Sequence, residues 1–289
     1  MPRSDPNRNI NNSPHKEMYR RFTTIAGKTI ITRITDSSRI RTGKARKPKT
    51  NPTPDAVKKI NRMNQERELT AKLNASFTPG DWWITLSHQQ MVTPDESLTL
   101  VGKLKRGLQR YCKKHQIPFR LIETMGIGSQ NGKPHHHIVL NKEVPLEVLY
   151  RYWPEEDTFA QPLKGYNYQK VAAYMMKNAE ESKDCRGKHK KAFRCSRQVS
   201  RPEPRVEQMK RQATFDTEDL KAREGYAIDR DSIRKYEHPI TGACCLEYIE
   251  VSLEPQPRIK QYYKGRPAKW EPLYPEEWGE QLSIDDILA

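Results

Sequence analysis

Three short apolar runs between residues 82 and 140 decide the fold. They read WWITLS at residues 82–87, FRLIET at residues 119–124 and HHHIVL at residues 135–140. Each run is rich in the β-branched and aromatic residues that favour strands. Between the first two runs, residues 93–96 read TPDE, a capping box that predicts the start of a helix. The segment therefore begins with the order strand, helix, strand, strand.

The same kinds of element continue on both sides of this segment. A helix is predicted from Thr53 to about Asn74, and a short helix at residues 146–152 follows the three runs. A fourth strand is predicted at residues 158–163 and another helix at residues 168–180. The order β-α-β-β-α-β is typical of RRM-like and ferredoxin-like folds. We therefore predict an α+β protein built on an RRM-like or ferredoxin-like antiparallel sheet with its helices on one face.

Two extensions flank this core, which we place at residues 53–182. Residues 1–52 are predicted to be a basic N-terminal arm with a possible β-hairpin at residues 19–35. Residues 183–289 are predicted to be a C-terminal extension that contains a basic, irregular segment and a late strand at residues 246–251.

The positive charge is concentrated in two blocks. The chain carries 52 Lys and Arg against 36 Asp and Glu, a net charge of +16. Residues 1–80 hold 18 basic and 6 acidic residues, net +12, and residues 181–225 hold 13 and 8, net +5. Such blocks attract phosphate backbones, although a solvated, solubilising surface is the alternative. The predicted DNA-binding residues are Arg39, Arg41, Lys44, Arg46, Lys47, Lys188, Lys190, Lys191, Arg194 and Arg197.

Several other classes of protein fit the sequence poorly. No apolar run approaches 18 residues, so we expect no transmembrane helix and no membrane partner. The N-terminus lacks the apolar run of a secretory signal. The five cysteines form no C-x-x-C pair, which argues against a cysteine-rich zinc module and for a reducing compartment. We expect a cytoplasmic protein, in the host cytoplasm if a phage or plasmid encodes it.

The histidine triplet is the feature most specific to chemistry. Alternate side chains of a strand share a face, so His135 and His137 should point together and His136 should point away. If the strands pair across the glycine-rich turn at residues 126–132, Glu123 falls near His135 and supplies a third ligand. Two imidazoles and a carboxylate suit zinc by default, whereas a phosphate substrate favours Mg²⁺ or Mn²⁺. Three unrelated surface histidines are the alternative.

A tyrosine and a lysine on the helix after the fourth strand form a second candidate pair. Tyr174 and Lys177 are three residues apart, so they lie on one helical face. A tyrosine hydroxyl can attack a phosphodiester reversibly if a metal, base or cation lowers its pKa from about 10. A core aromatic is the alternative role for Tyr174.

Two adjacent tryptophans begin the first of the three runs. Trp82 and Trp83 must point to opposite faces of their strand. One is expected in the core, and the other either packs in the core or stacks on a nucleic-acid base.

Together these motifs resemble those of the rolling-circle replication initiators of the HUH superfamily. Residues 83–87 (WITLS) resemble their first motif, residues 135–137 their HUH motif, and residues 174–177 their Y-x-x-K motif. Residues 193–197 (FRCSR), followed by Pro202, resemble a segment that follows the tyrosine helix in phage-type members. The similarity is greatest to the single-tyrosine nicking endonucleases of the filamentous-phage and plasmid type, and it covers roughly residues 57–205.

The resemblance implies a fold, a reaction and a set of roles. The fold is the RRM-like palm of HUH endonucleases, and the reaction is site-specific nicking and joining of single-stranded or hairpin origin DNA. Tyr174 is the implied nucleophile and forms a 5′-phosphotyrosine link, while Lys177 lowers its pKa or neutralises phosphate charge. The implied cofactor is Mg²⁺ or Mn²⁺, held by Glu123, His135 and His137. A host helicase and a polymerase are the implied partners.

Other functions remain open at this level. A plasmid-transfer relaxase or a single-strand transposase shares the same motifs. A non-catalytic DNA-binding protein would explain the charge, and a metal-dependent hydrolase that activates water would leave Tyr174 a structural residue.

Overall fold

The computed structural model describes residues 19–36, 54–128, 132–153, 158–183, 191–209, 215–218, 220–240 and 242–253. Within them the chain forms an α+β fold with two antiparallel five-stranded sheets and four helices. The strands are β1 (Tyr19–Ala26), β2 (Thr29–Asp36), β3 (Trp82–Leu86), β4 (Leu121–Ile127), β5 (Pro134–Leu140), β6 (Thr158–Pro162), β7 (Phe193–Cys195), β8 (Arg205–Gln208), β9 (Tyr226–Glu237) and β10 (Cys244–Ser252). The helices are α1 (Asp55–Ser76), α2 (Pro94–Lys114), α3 (Leu146–Tyr152) and α4 (Gln169–Glu181).

The central sheet has the strand order β6-β3-β5-β4-β7. Its elements β3-α2-β4-β5-α3-β6 follow the predicted β-α-β-β-α-β order. The capping box is confirmed, because the Thr93 side chain accepts from the Glu96 amide and the Glu96 side chain accepts from the Thr93 amide. The second strand was expected at residues 119–124, whereas β4 runs to Ile127 and takes in part of the predicted glycine-rich turn.

Helices cover both faces of the central sheet, so the prediction that they lie on one face is wrong. On one face, called the α2 face, α2 and α3 pack against β-sheet residues that include Ile84 and Ile138. On the other, called the α4 face, α1 and α4 pack against residues that include Trp83 and Val139. The central strands are apolar at consecutive positions because both of their faces are buried.

Segments from the two ends of the chain form the second sheet, called the flanking sheet, with the order β8-β1-β2-β10-β9. The predicted hairpin is confirmed as β1 and β2, and the predicted late strand as part of β10. The strands β7, β8 and β9 were not predicted. Residues 37–53, which hold the densest basic run, lie outside the described residues.

Helix α1 joins the two sheets. The Asn74 amide donates to the Thr29 hydroxyl in the flanking sheet, and its carbonyl oxygen accepts from the Tyr168 amide just before α4, at 2.9 and 2.8 Å. Near the other end of this interface, the Arg67 guanidinium donates to the Glu247 carboxylate at 2.7 Å. The side chains of Arg67 and Glu247 are 20% and 6% exposed, so this ion pair lies in the interface rather than in solvent. Polar contacts therefore hold α1 at its middle, through Arg67, and in its last turn, through Asn74.

None of the helices in the described part of the chain is long and apolar enough to cross a membrane.

Candidate active site

Strand register places the outer two histidines of the triplet on the α4 face. His137 lies opposite Thr85 on β3 and opposite Thr124 on β4, and His135 lies opposite Gly126. His136 projects to the α2 face, where it is completely buried. The predicted alternation of the three side chains is therefore confirmed.

His137 is oriented through one of its two ring nitrogens. Its Nδ1 lies 3.2 Å from the Thr85 hydroxyl, and its ring stacks on Trp83 with the ring centroids 5.4 Å apart. Its Nε2 is buried and has no hydrogen-bond partner among the described residues. Burial and the nearby His135 lower the pKa of His137 to about 3, against an opposing contribution from the Asn178 side chain. The ring is therefore neutral at physiological pH, as metal binding requires.

Asn178 completes this group of side chains. It is a buried residue of α4, and its Oδ1 lies 3.2 Å from His135 Nε2 while its Nδ2 donates to the Tyr174 carbonyl at 2.9 Å. Gly126 makes room for the arrangement, because a Cβ on that residue would lie 2.4 Å from His135 Nε2 and 3.0 Å from Asn178 Oδ1. The amide oxygen of Asn178 thus lies next to the His135 ring, whose centroid is 4.9 Å from that of His137.

Tyr174 stands beside His137 at the surface. The centroid of its ring lies 4.9 Å from that of His137 and 6.0 Å from that of Trp83, with edge-on geometry in both cases. Tyr174 is 43% exposed, although the next two residues of α4, Met175 and Met176, are buried in the core. Lys177, one turn further on, is exposed on the same side of the helix. The structure therefore brings Tyr174, His135 and His137 together and leaves the tyrosine accessible to solvent.

Two nearby tyrosines are occupied in other ways. Tyr168 is 1% exposed, and its hydroxyl donates to the Gly165 carbonyl at 2.7 Å. Lys28 lies over the ring of Tyr166 at 4.2 Å from the centroid.

The register prediction that brought Glu123 next to His135 is wrong. Glu123 lies opposite Ile138, so its side chain is on the α2 face, and the residue opposite His135 is Gly126. The residue of β4 that lies opposite His135 is thus three positions further along the chain than predicted. A sheet separates Glu123 from Nε2 of His137, so Glu123 cannot share a metal ion with His135 and His137 in this fold.

Glu123 instead belongs to a buried polar chain behind β5. His136 Nδ1 lies 3.0 Å from Glu123 Oε1, and His136 Nε2 lies 2.8 Å from the Ser97 hydroxyl, which in turn lies 2.7 Å from His88 Nε2. The Lys105 ammonium donates to the other Glu123 oxygen at 2.5 Å. The chain links α2 to the back of β5 and satisfies the polar groups that the triplet carries into the core.

Ionisation follows from this arrangement. Burial alone would raise the pKa of Glu123, but the hydrogen bond from His136 and the charges of His136 and Lys105 lower it to about 2. Burial also lowers the pKa of His136. At neutral pH the chain therefore contains an ionised carboxylate that accepts from the His136 imidazole and from the Lys105 ammonium. Ser97 is completely buried, so the Ser97–His136–Glu123 alignment offers no nucleophile to a substrate.

The side chains that fit a divalent cation are His135, His137 and Asn178. They fit because His137 Nε2 is a buried donor or acceptor that no side chain or backbone group of the described segments satisfies. No cluster of three His, Cys, Asp or Glu side chains suited to a metal occurs in the described ranges, and the third donor here is an amide oxygen. Sequence reasoning missed Asn178, although its spacing of four residues from Tyr174 places it on the same side of the helix.

Three of the predicted DNA-binding residues fall within the described ranges. Lys191 and Arg197 are exposed near β7, and Arg194 lies opposite Glu123, which directs its side chain to the α2 face. The structure therefore separates Arg194 from His135 and His137. The remaining predicted DNA-binding residues, at positions 39–47, 188 and 190, lie outside the described residues.

Comparisons with protein-family models, with curated proteins and with solved structures find no match to this chain.

Proposed function

We propose that this protein is a metal-dependent endonuclease and strand transferase that nicks single-stranded DNA through Tyr174 and initiates rolling-circle replication. The observation that carries the proposal is the packing of a solvent-accessible Tyr174 against His137, whose buried Nε2 has no hydrogen-bond partner within the described ranges. A nucleophile and a set of metal donors are thus adjacent at one surface. The β6-β3-β5-β4 strand order, with the histidine strand in the middle, supports the RRM-like palm of HUH endonucleases as the fold.

The cation would be held by His135, His137 and Asn178. In this ligand set Asn178 takes the place that was predicted for Glu123. Mg²⁺ or Mn²⁺ bound there would polarise the scissile phosphate and stabilise the charge that develops on it. Thr85 orients the His137 ring through Nδ1, so that Nε2 is presented to the site. Gly126 leaves room for the His135 ring above β4, next to Asn178.

Tyr174 supplies the nucleophile. Its hydroxyl loses a proton to solvent, the phenolate oxygen forms a bond to phosphorus, and the bond from phosphorus to the 3′ oxygen breaks. The 3′ oxygen that leaves takes up a proton from solvent. The products are a 5′-phosphotyrosine and a 3′-hydroxyl that a host polymerase can extend after a host helicase opens the duplex. Lys177 is exposed one turn away and contributes positive charge near the phosphate. Attack by a 3′-hydroxyl on the phosphotyrosine reverses the step and joins the strand.

A covalent adduct tests the proposal directly. The full chain is incubated with Mn²⁺ and a pool of single-stranded oligonucleotides whose central segment is randomised, and the products are separated by denaturing electrophoresis. We expect a protein–DNA band with wild-type protein and none with Tyr174→Phe. Tyr150→Phe is the matched control, because Tyr150 is equally exposed at 43% but lies on α3, on the other face of the sheet.

The possible outcomes separate the candidate functions. Cleavage without an adduct would indicate a hydrolase that activates water, and binding without cleavage would indicate a DNA-binding protein. An undiminished adduct in Tyr174→Phe would place the nucleophile elsewhere and refute the assignment.

A further inference from the structure

The part of the α4 face next to β6 is open and carries an exposed aromatic residue. Phe159 is 61% exposed and is the second residue of β6, which is an edge strand of the central sheet. Both predicted stacking candidates are used elsewhere, since Trp83 is in the core on the α4 face and Trp82 packs against the core on the α2 face. Phe159 is thus the aromatic residue of β3 or β6 whose ring is available to a ligand.

Strand register ties Phe159 to the candidate active site. Phe159 lies opposite Thr85, and Thr85 lies opposite His137, so the three side chains form one row on the α4 face. Two strand spacings of about 4.8 Å put Phe159 about 10 Å from His137 along this row. Thr85, the middle residue of the row, is hydrogen-bonded to His137. Strand β3 therefore lies between Phe159 on β6 and His137 on β5 and sets the distance between them.

Neighbouring residues complete a shelf, which we call the β6 shelf and define as Phe159, Thr85, Gln161 and Tyr174. Gln161 lies opposite Trp83 and therefore projects to the same face as Phe159. Tyr174 borders the shelf on the side of α4, where its ring meets that of Trp83. The shelf combines an exposed aromatic face with an amide and hydroxyls and has no acidic side chain among its four members. That is the composition expected of a surface that receives a nucleobase and its sugar-phosphate.

We propose that Phe159 is a base-stacking residue, and that the β6 shelf binds a nucleotide of single-stranded DNA next to the phosphodiester presented to Tyr174. The inference rests on the proposed function for the identity of the ligand. Every base has an aromatic face, so stacking here adds affinity without selecting a sequence. A base held on Phe159 fixes the strand across β3 toward His137. Phe159 thereby positions the substrate and takes no part in bond making.

The experiment measures binding rather than chemistry, so that it can be interpreted even if no nicking is observed. Two fluorescein-labelled probes of equal length and charge are compared by anisotropy: a twelve-residue oligo(dT) and a phosphodeoxyribose oligomer of the same length without bases. The ratio of their dissociation constants reports the contribution of the bases. Stacking on one aromatic side chain corresponds to roughly a 5- to 150-fold change in affinity.

We expect Phe159→Ala to weaken oligo(dT) binding by about 5- to 150-fold and to leave binding of the base-free oligomer unchanged. The slope of log affinity against log salt should also stay the same, because no phosphate contact is lost. Phe159→Trp should restore oligo(dT) binding. Tyr150→Ala is the matched control, since it removes an exposed aromatic side chain from the opposite face and should alter neither probe.

Three results would overturn the inference. They are equal affinity of wild-type protein for both probes, unchanged oligo(dT) binding by a folded Phe159→Ala, and an equal loss for both probes in that variant. Thermal melting of each variant establishes that it is folded. Failure of the proposed function appears separately, as the absence of a covalent adduct from wild-type protein that still distinguishes the two probes.

Discussion

Substitution of Gly126 by alanine tests whether His135 and Asn178 must meet over β4. The added Cβ would lie 2.4 Å from His135 Nε2, 2.7 Å from its Cε1 and 3.0 Å from Asn178 Oδ1. Ordinary contact begins at 3.4 Å, so the imidazole must retreat by at least 3.4 − 2.4 = 1.0 Å. The ring can do so by rotating about its side-chain bonds, so the main chain of β4 and β5 need not move.

A displacement of this size affects the site more than the fold. Metal–ligand distances tolerate about 0.2 Å, and a misplacement of 1 Å in a catalytic group costs on the order of 100-fold in rate. We therefore expect Gly126→Ala to lower the single-turnover nicking rate by about 100-fold. The free energy of unfolding should change by no more than about 1 kcal/mol, because alanine also restricts the unfolded chain.

The assay is single-turnover formation of the protein–DNA adduct in Mn²⁺, with urea unfolding of the same preparation. Gly102→Ala is the matched control, since the nearest atom to its added Cβ is Arg106 Nη1 at 3.6 Å. Gly102 lies within helix α2, so its replacement should raise stability by about 0.5–1 kcal/mol and leave the rate unchanged. A Gly126→Ala rate within twofold of wild type would refute the assignment of His135 and Asn178 to one site.

Three further predictions concern the third donor, the buried chain and the flanking sheet. Asn178→Ala should raise the Mn²⁺ concentration that gives half-maximal nicking by at least about 10-fold, measured by metal titration, whereas Asn178→Asp should not, because it keeps an oxygen donor. Glu123→Gln should destabilise the protein at neutral pH, since the carboxylate has a folded-state pKa of about 2 against a usual 4.5. That stabilisation is present above pH 4.5 and is lost as the pH falls toward 2, so urea unfolding of the two proteins should converge across this window. Gly27→Ala should cost about 2–4 kcal/mol in urea unfolding, because Gly27 has a φ of +58° and its added Cβ would lie 2.1 Å from the Asn74 carbonyl oxygen.

Each of these has an outcome that contradicts it. An unchanged Mn²⁺ dependence of nicking in Asn178→Ala would refute the assignment of Asn178 as a metal ligand. A difference between wild type and Glu123→Gln that persists at pH 2 would mean that the carboxylate is not what stabilises the buried chain. A Gly27→Ala variant as stable as wild type would mean that the β1–β2 turn is not in close contact with the main chain of α1.

Local pattern alone determined much of the central sheet. The β-branched runs, the TPDE capping box and the spacing between them led to the β-α-β-β-α-β order, since short-range sterics and hydrogen bonds act within a few residues. Strand alternation placed His135 and His137 together, and helical spacing placed Tyr174 and Lys177 on one side of α4, for the same reason.

Tertiary structure decided the features that depend on long-range packing. The register of β4 on β5 reflects which residues are buried on each face of the sheet. In this register Glu123 contacts His136 in the buried polar chain and lies on the opposite face from the predicted metal site. The flanking sheet pairs β2 with β10, more than 200 residues later, and no local signal encodes such a partner. Asn178 is identified as a candidate metal donor only by its contact with His135, which brings α4 and β5 together. Such a contact depends on the packing of the whole core and not on the sequence of either segment alone.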